Sequence, residues 1–251
     1  MNLKQRMAKG ERLVGTFVKT PAYEIIEVLA HSGLDYLILD GEHAPFDRAR
    51  LDQCLAIGRA LNFPLLVRIH DGEPSSVLRV LDSGAVGIVV PHVYSIDKAR
   101  GVAKSAYFGH GGRGFAGSTR WAGFATRTAD EVFAQSAAET VVVVQIEEPE
   151  GVDASDEIAA IEGIDALFAG PADLGISYGT TDFSSDVVRG AIKTTGDACK
   201  KHGKSFFTFA ANSQPVEELA KLGVNGFCIG SEHSFMLDTA RRFVADIKPS
   251  N

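Results

Sequence analysis

The chain has 251 residues, 45% apolar and 23% charged, enough material for one globular domain with a large buried core. Its net charge of -7 argues against a nucleic-acid surface, because phosphate binding needs clustered cations. No run approaches the roughly 18 apolar residues of a membrane helix, and the charged residues 1–14 lack a signal-peptide core, so no membrane role and a cytoplasmic location are expected.

In chain order, short β-branched or aromatic runs fall at 15–19, 36–40, 64–69, 87–91, 141–147, 166–170, 205–210 and 226–230. Uninterrupted runs such as Val141-Val142-Val143-Val144 suit strands covered on both faces. Amphipathic stretches separate them at 22–32, 47–61, 73–83, 96–107, 154–161, 185–202, 214–222 and 233–247. Gly33, Gly84 and Gly223 follow three of these as C-caps. Eight strands alternating with eight helices predict a (β/α)8 TIM barrel, a single domain over residues 1–251, rather than an open doubly wound sheet. The interval between Pro91 and Val141 breaks the rhythm with a Gly-rich loop at 109–123 and an extra helix near 129–138. Cys54, Cys199 and Cys228 show no ligand or disulfide spacing and read as small core residues in a reducing compartment.

In this architecture the chemistry sits at the C-terminal ends of the strands. Polar residues recur there: Asp40 to His43, Arg68, Gln145 with Glu147, and Asp173. Gln145 and Glu147 are two apart and share a strand face. Glu147 and Asp173 end neighbouring strands, where two carboxylates suit Mg2+ or Mn2+ with room for water and a chelating substrate. The plain alternative is an unrelated pair of acids, with Asp173 capping a helix. Gly170-Pro171-Ala172 offers backbone N–H groups for a substrate carboxylate. His43 lies in a rim loop, and histidine is the residue type best suited to moving a proton as a general base. A solvated surface histidine is the alternative, and spacing does not choose it over His31, His70, His92, His110, His202 or His233. Arg68 interrupts an apolar strand and needs an anionic partner, a salt bridge to Asp40 or an enolate oxygen. Glu42 reads as a solvated or neighbour-pairing charge. Lys19 ends the first strand, where a Schiff-base lysine could stand, but the paired carboxylates favour a metal, leaving Lys19 as an exposed rim residue.

At these positions the sequence resembles the class II pyruvate (2-oxo-acid) aldolases, of the 4-hydroxy-2-oxoheptanedioate and 2-dehydro-3-deoxyglucarate aldolase type. The likeness covers nearly the whole chain and rests on five motifs in order. They are Leu39-Asp40-Gly41-Glu42-His43-Ala44-Pro45, Val67-Arg68, Arg113-Gly114, Gln145-Ile146-Glu147 and Gly170-Pro171-Ala172-Asp173-Leu174. Tyr107 is followed by Phe108-Gly109 where the family has two prolines, and Phe17 replaces its tryptophan; both departures bear on the aldehyde rather than on the metal site.

The resemblance implies a lyase that cleaves 4-hydroxy-2-oxo acids to pyruvate and an aldehyde through a metal-bound enolate. It implies His43 as base, Arg68 on the enolate, and Glu147 and Asp173 as ligands of Mg2+, Mn2+ or Co2+. It gives Gln145 and the segment Gly170, Pro171, Ala172 and Asp173 to the 2-oxo acid. It also implies Asp82 as an acid raising the basicity of the histidine, although Asp82 ends a helix before the fourth strand and so belongs at the opposite rim unless a neighbouring subunit supplies it. A homo-oligomer, trimer or hexamer, with its last helix exchanged between subunits, is implied as well. Rival readings are an acyl-CoA lyase of the malyl or citramalyl type, a 2-oxo-acid decarboxylase or tautomerase, and a catalytically silent barrel. The first lacks a clear CoA surface in the sequence, and the complete polar set weighs against the last.

Overall fold

The computed structural model describes residues 1–248. The first half contains α1 (Leu3–Ala8), β1 (Leu13–Val18), α2 (Tyr23–Ala30), β2 (Tyr36–Asp40), α3 (Arg48–Ala60), β3 (Leu65–Arg68), α4 (Pro74–Asp82), β4 (Gly87–Val90) and α5 (Ile96–Ala106). The second half contains α6 (Ala129–Glu139), β5 (Val141–Ile146), α7 (Pro149–Asp153), α8 (Ser155–Ala159), β6 (Ala166–Ala169), α9 (Pro171–Ser177), α10 (Asp186–His202), β7 (Ser205–Ala210), α11 (Val216–Lys221), β8 (Gly226–Ser231) and α12 (Glu232–Ile247). The strands pair in parallel in chain order, and β1 pairs with β8 to close the barrel. This is the predicted (β/α)8 barrel.

Each strand alternates between two apolar layers. Leu13, Tyr36, Ile38, Leu66, Val143 and Phe207 fill the barrel interior, while Leu37, Leu39, Val67, Val142 and Val144 pack outward under the helices. Gly33, Gly84 and Gly223 end their helices with φ of 87°, 109° and 94°, a region that costs a side chain but not glycine. The three cysteines are buried and free.

Four features depart from the sequence expectation. α1 was not foreseen: it is too short for periodicity to reveal, yet an Asn2–Gln5 capping box starts it. Its Leu3 and Met7 join the interior layer. The stretch 154–161 becomes two short helices that begin earlier, and α9 appears directly after β6. Pro149 and Pro171 open α7 and α9 at the first helical position, where a missing N–H costs nothing. The helix expected at 214–222 narrows to Val216–Lys221.

Candidate active site

The alternation that fills the barrel also builds the site. Ile38, Leu66 and Val143 point inward, so the next inward positions on their strands, two residues on, are Asp40, Arg68 and Gln145. All three are buried. Arg68 donates to both oxygens of Asp40, from Nε at 3.0 Å and from a terminal nitrogen at 2.8 Å. The guanidinium also stands 4.5 Å from the centre of the Phe17 ring. The expected Asp40 partnership is therefore present. Asp40 also holds Lys19 Nζ at 3.0 Å and accepts the His43 N–H at 3.0 Å. Burial works to raise the Asp40 carboxyl, but Arg68, the His43 N–H and Lys19 outweigh it and hold Asp40 below its ordinary value.

Glu147 follows β5 and is 2% exposed. Gln145 Nε2 donates to its Oε1 at 2.7 Å, and the His92 backbone N–H donates to its Oε2 at 3.1 Å. His92 reaches that position with φ of 55°, unusual for a residue with a side chain. Asp173 lies in the first turn of α9 and is exposed to the rim. A Cβ at Gly170 would lie 3.0 Å from Glu147 Oε1 and 3.3 Å from Asp173 Oδ2, so the two carboxylates converge on the Gly170 backbone. Burial pushes the Glu147 carboxyl up to about 7; the His92 N–H opposes this and the Asp173 charge adds to it. Gln145 Oε1 is buried without a partner.

These features fit a divalent cation. It would replace the proton that Glu147 otherwise retains, and hard oxygen donors suit Mg2+ or Mn2+. Among the described residues no group of three or more His, Cys, Asp and Glu side chains converges to hold a metal. Two carboxylates would leave the remaining positions to water and substrate.

His43 stands at the same rim with its side chain 61% exposed, and its Nε2 is 3.7 Å from Glu42 Oε2. Of the two readings of Glu42, a solvated or a neighbour-pairing charge, the structure shows the second. Glu42 lies between Arg68 Nε at 3.3 Å and the two imidazoles of His43 and His92, each at 3.7 Å. Spacing in the sequence does not single out His92 among the histidines; its place just after the end of β4 is the signal that does. Burial works to lower its imidazole, but Glu148, Glu147 and Glu42 overcome that and raise it.

Asp82 is not brought to this cluster within one chain. It ends α4 just before β4 begins, at the N-terminal rim, and binds Arg113 at 2.6 and 3.2 Å. Because β3 and β4 are parallel, α4 must run back along the barrel and ends at the opposite rim.

A cavity of about 340 Å³ opens at the C-terminal rim of the strands. Arg68, Gln145 and residues 170–173 line the sector over β3, β5 and β6. Phe17, Lys19, Phe209, Ser231 and Ser234 line the sector over β7, β8 and β1.

The profile of the HpcH/HpaI aldolase/citrate lyase family matches residues 13–239. The chain belongs to that family. It is 31% identical over 245 residues to the hydroxypyruvate/pyruvate aldolase of Roseovarius nubinhibens, covering 96% of this chain and 95% of that one. It is 36% identical over 209 residues to the 5-keto-4-deoxy-D-glucarate aldolase of Salmonella paratyphi C, covering 82% and 80%. A solved HpcH/HpaI aldolase/citrate lyase family protein from Burkholderia cenocepacia J2315 superposes with a TM-score of 0.92 at 32% identity, over 98% of both chains. Among the described residues no helix is long and apolar enough to cross a membrane.

Proposed function

We propose that this carbon–carbon lyase cleaves 4-hydroxy-2-oxo acids to pyruvate and an aldehyde, and runs aldol addition in the reverse direction. The convergence of Glu147 and Asp173 on Gly170, beside Gln145 and across one cavity from Arg68, carries the reading.

Glu147 and Asp173 would hold a divalent cation, which supplies Lewis-acid polarisation of the substrate's keto group. The rest falls to the chain. α9 begins with Pro171 and has no side-chain cap, which leaves the Ala172 and Asp173 N–H groups for the substrate carboxylate. Gln145 Nε2 gives one N–H to Glu147 and has a second to donate to the oxo-acid end. His43 takes the proton from the C4 hydroxyl. The C3–C4 bond breaks, its electron pair forms the pyruvate enolate, and the aldehyde leaves. Arg68, pinned by Asp40, stabilises the enolate oxygen without having to reorganise. A proton delivered to C3 completes pyruvate.

Assembly is part of the proposal. Phe235, Met236, Leu237, Phe243, Val244 and Ile247 are exposed along α12, so this helix leaves an apolar face open in one chain. A homo-oligomer covers it, and a neighbouring copy is the source from which Asp82 could reach a site.

Metal-dependent exchange of pyruvate's methyl protons in deuterium oxide, followed by proton NMR, tests the enolate chemistry without needing the aldehyde. Exchange that needs Mn2+ and stops in Arg68→Ala is expected. Exchange at the same rate in excess chelator rules the reading out.

A further inference from the structure

We propose that His92 is a positioning residue: its left-handed backbone presents one fixed N–H to Glu147 and holds that carboxylate in the orientation a divalent cation needs. This rests on the metal reading above and adds the device that orients the ligand.

Four non-glycine residues among those described have positive φ: Asn62, His92, Phe124 and Ala125. Of these, His92 alone bonds a candidate metal ligand. Its φ of 55° crowds the Cβ against its own backbone, and such a conformation persists only where the surroundings fix it. A glycine would turn the chain here without that strain, but it would leave the N–H free to swing. Pro91 has no N–H, so His92 carries the first backbone donor after β4. That donor meets Glu147 Oε2 at 3.1 Å, while Gln145 Nε2 meets Oε1 at 2.7 Å. One donor on each oxygen sets the plane of the carboxylate.

The turn is anchored on several sides, which a chain merely leaving its strand would not need. Lys98, in the first turn of α5, donates its ammonium to the carbonyls of His92 at 2.9 Å and Pro91 at 3.3 Å. The Val93 N–H donates to the Gln145 carbonyl at 3.1 Å, which ties the far side of the turn to β5. The imidazole Nδ1 stands 2.6 Å from Glu148 Oε1. α7 closes over the segment: a Cβ at Gly151 would lie 3.1 Å from the Val93 carbonyl oxygen. For Lys98, charge and position predict opposite signs. Removing a cation from beside acidic groups tightens cation binding through Coulomb attraction alone, whereas loosening the His92 turn weakens it.

The test is a Mn2+ titration of the whole protein, read from the paramagnetic resonance of free Mn2+. Lys98→Met keeps the apolar stem and removes the ammonium. It should raise the Mn2+ Kd about tenfold, within the range known for residues that orient ligands. His92→Ala should raise it similarly, because alanine at that φ keeps the strain and loses the Glu148 anchor. His92→Gly, in which the same φ carries no strain, should recover part of the affinity. A Lys98→Met Kd within twofold of wild type, or below it, overturns the proposal. His92→Gly that binds no tighter than His92→Ala also overturns it, since the backbone conformation then contributes nothing. Should His92→Ala fail to fold, Lys98→Met decides alone. Wild type that takes up no Mn2+ overturns the metal reading itself, whereas binding by wild type with unchanged variants overturns only the role of His92.

Discussion

Gly170→Ala probes the metal site without touching a ligand. Gly170 has φ of -93° and ψ of 96°, a conformation alanine adopts freely, so the backbone is not strained. The new methyl would stand 3.0 Å from Glu147 Oε1, 3.1 Å from its Cγ and 3.3 Å from Asp173 Oδ2. Contacts below 3.4 Å are tighter than nearly all real ones, so the carboxylates must yield by a few tenths of an ångström. Metal–oxygen distances tolerate about 0.2 Å. The displacement therefore matches or exceeds what a bound cation accepts, and Mn2+ affinity should fall about 10- to 100-fold, the range known for residues that orient ligands. The metal-free fold should lose only about 1 kcal/mol from overpacking, a Tm change of about 2–4 °C. Gly101→Ala within α5, where a methyl meets nothing within 4 Å, is the control and should leave Mn2+ binding unchanged. Calorimetric or paramagnetic-resonance titration with Mn2+ reads the affinity. A Gly170→Ala Kd within twofold of wild type would show that the cation is not held between these carboxylates.

Chelator should abolish aldol cleavage, Mg2+, Mn2+ or Co2+ should restore it, and borohydride with pyruvate should leave Lys19 unlabelled; a pyruvyl adduct on Lys19 contradicts the assignment. Glu147 has its folded value raised to about 7, so its contribution to metal-free stability is full below about 4.5 and is lost as pH rises toward 7. His92, also raised, acts in the same direction. Thermal melts across that window should show Mn2+ stabilising most at pH 7 and above; equal stabilisation at pH 5 and 8 contradicts the ligand role. His43→Ala should slow cleavage by about two to four orders of magnitude, with pyruvate affinity little changed, and an unaltered rate removes His43 as base. Light scattering at micromolar concentration should find an oligomer; a monomer contradicts burial of the α12 face.

The sequence by itself determined the barrel and picked out most residues of the candidate site. Strands covered on both faces must be apolar throughout, so Val141–Ile146 and its counterparts stand out as runs, and a charged Arg68 inside one of them stands out equally. Period-two alternation also puts Gln145 and Glu147 on one strand face. Three short helices escaped because a turn or two of helix has no period to detect, although proline marked two of their starts. What only the tertiary structure decided is which residues from distant strands meet. Glu42 between Arg68 and two histidines, His92 N–H on Glu147, and Glu232 on the Lys19 backbone each join segments far apart in the chain. No local pattern encodes those meetings, because they depend on closure of the barrel, which brings β8 beside β1 and sets the strand ends on one rim. The same closure sends Asp82 to the far rim: a helix returning antiparallel to its strand must end where the next strand begins.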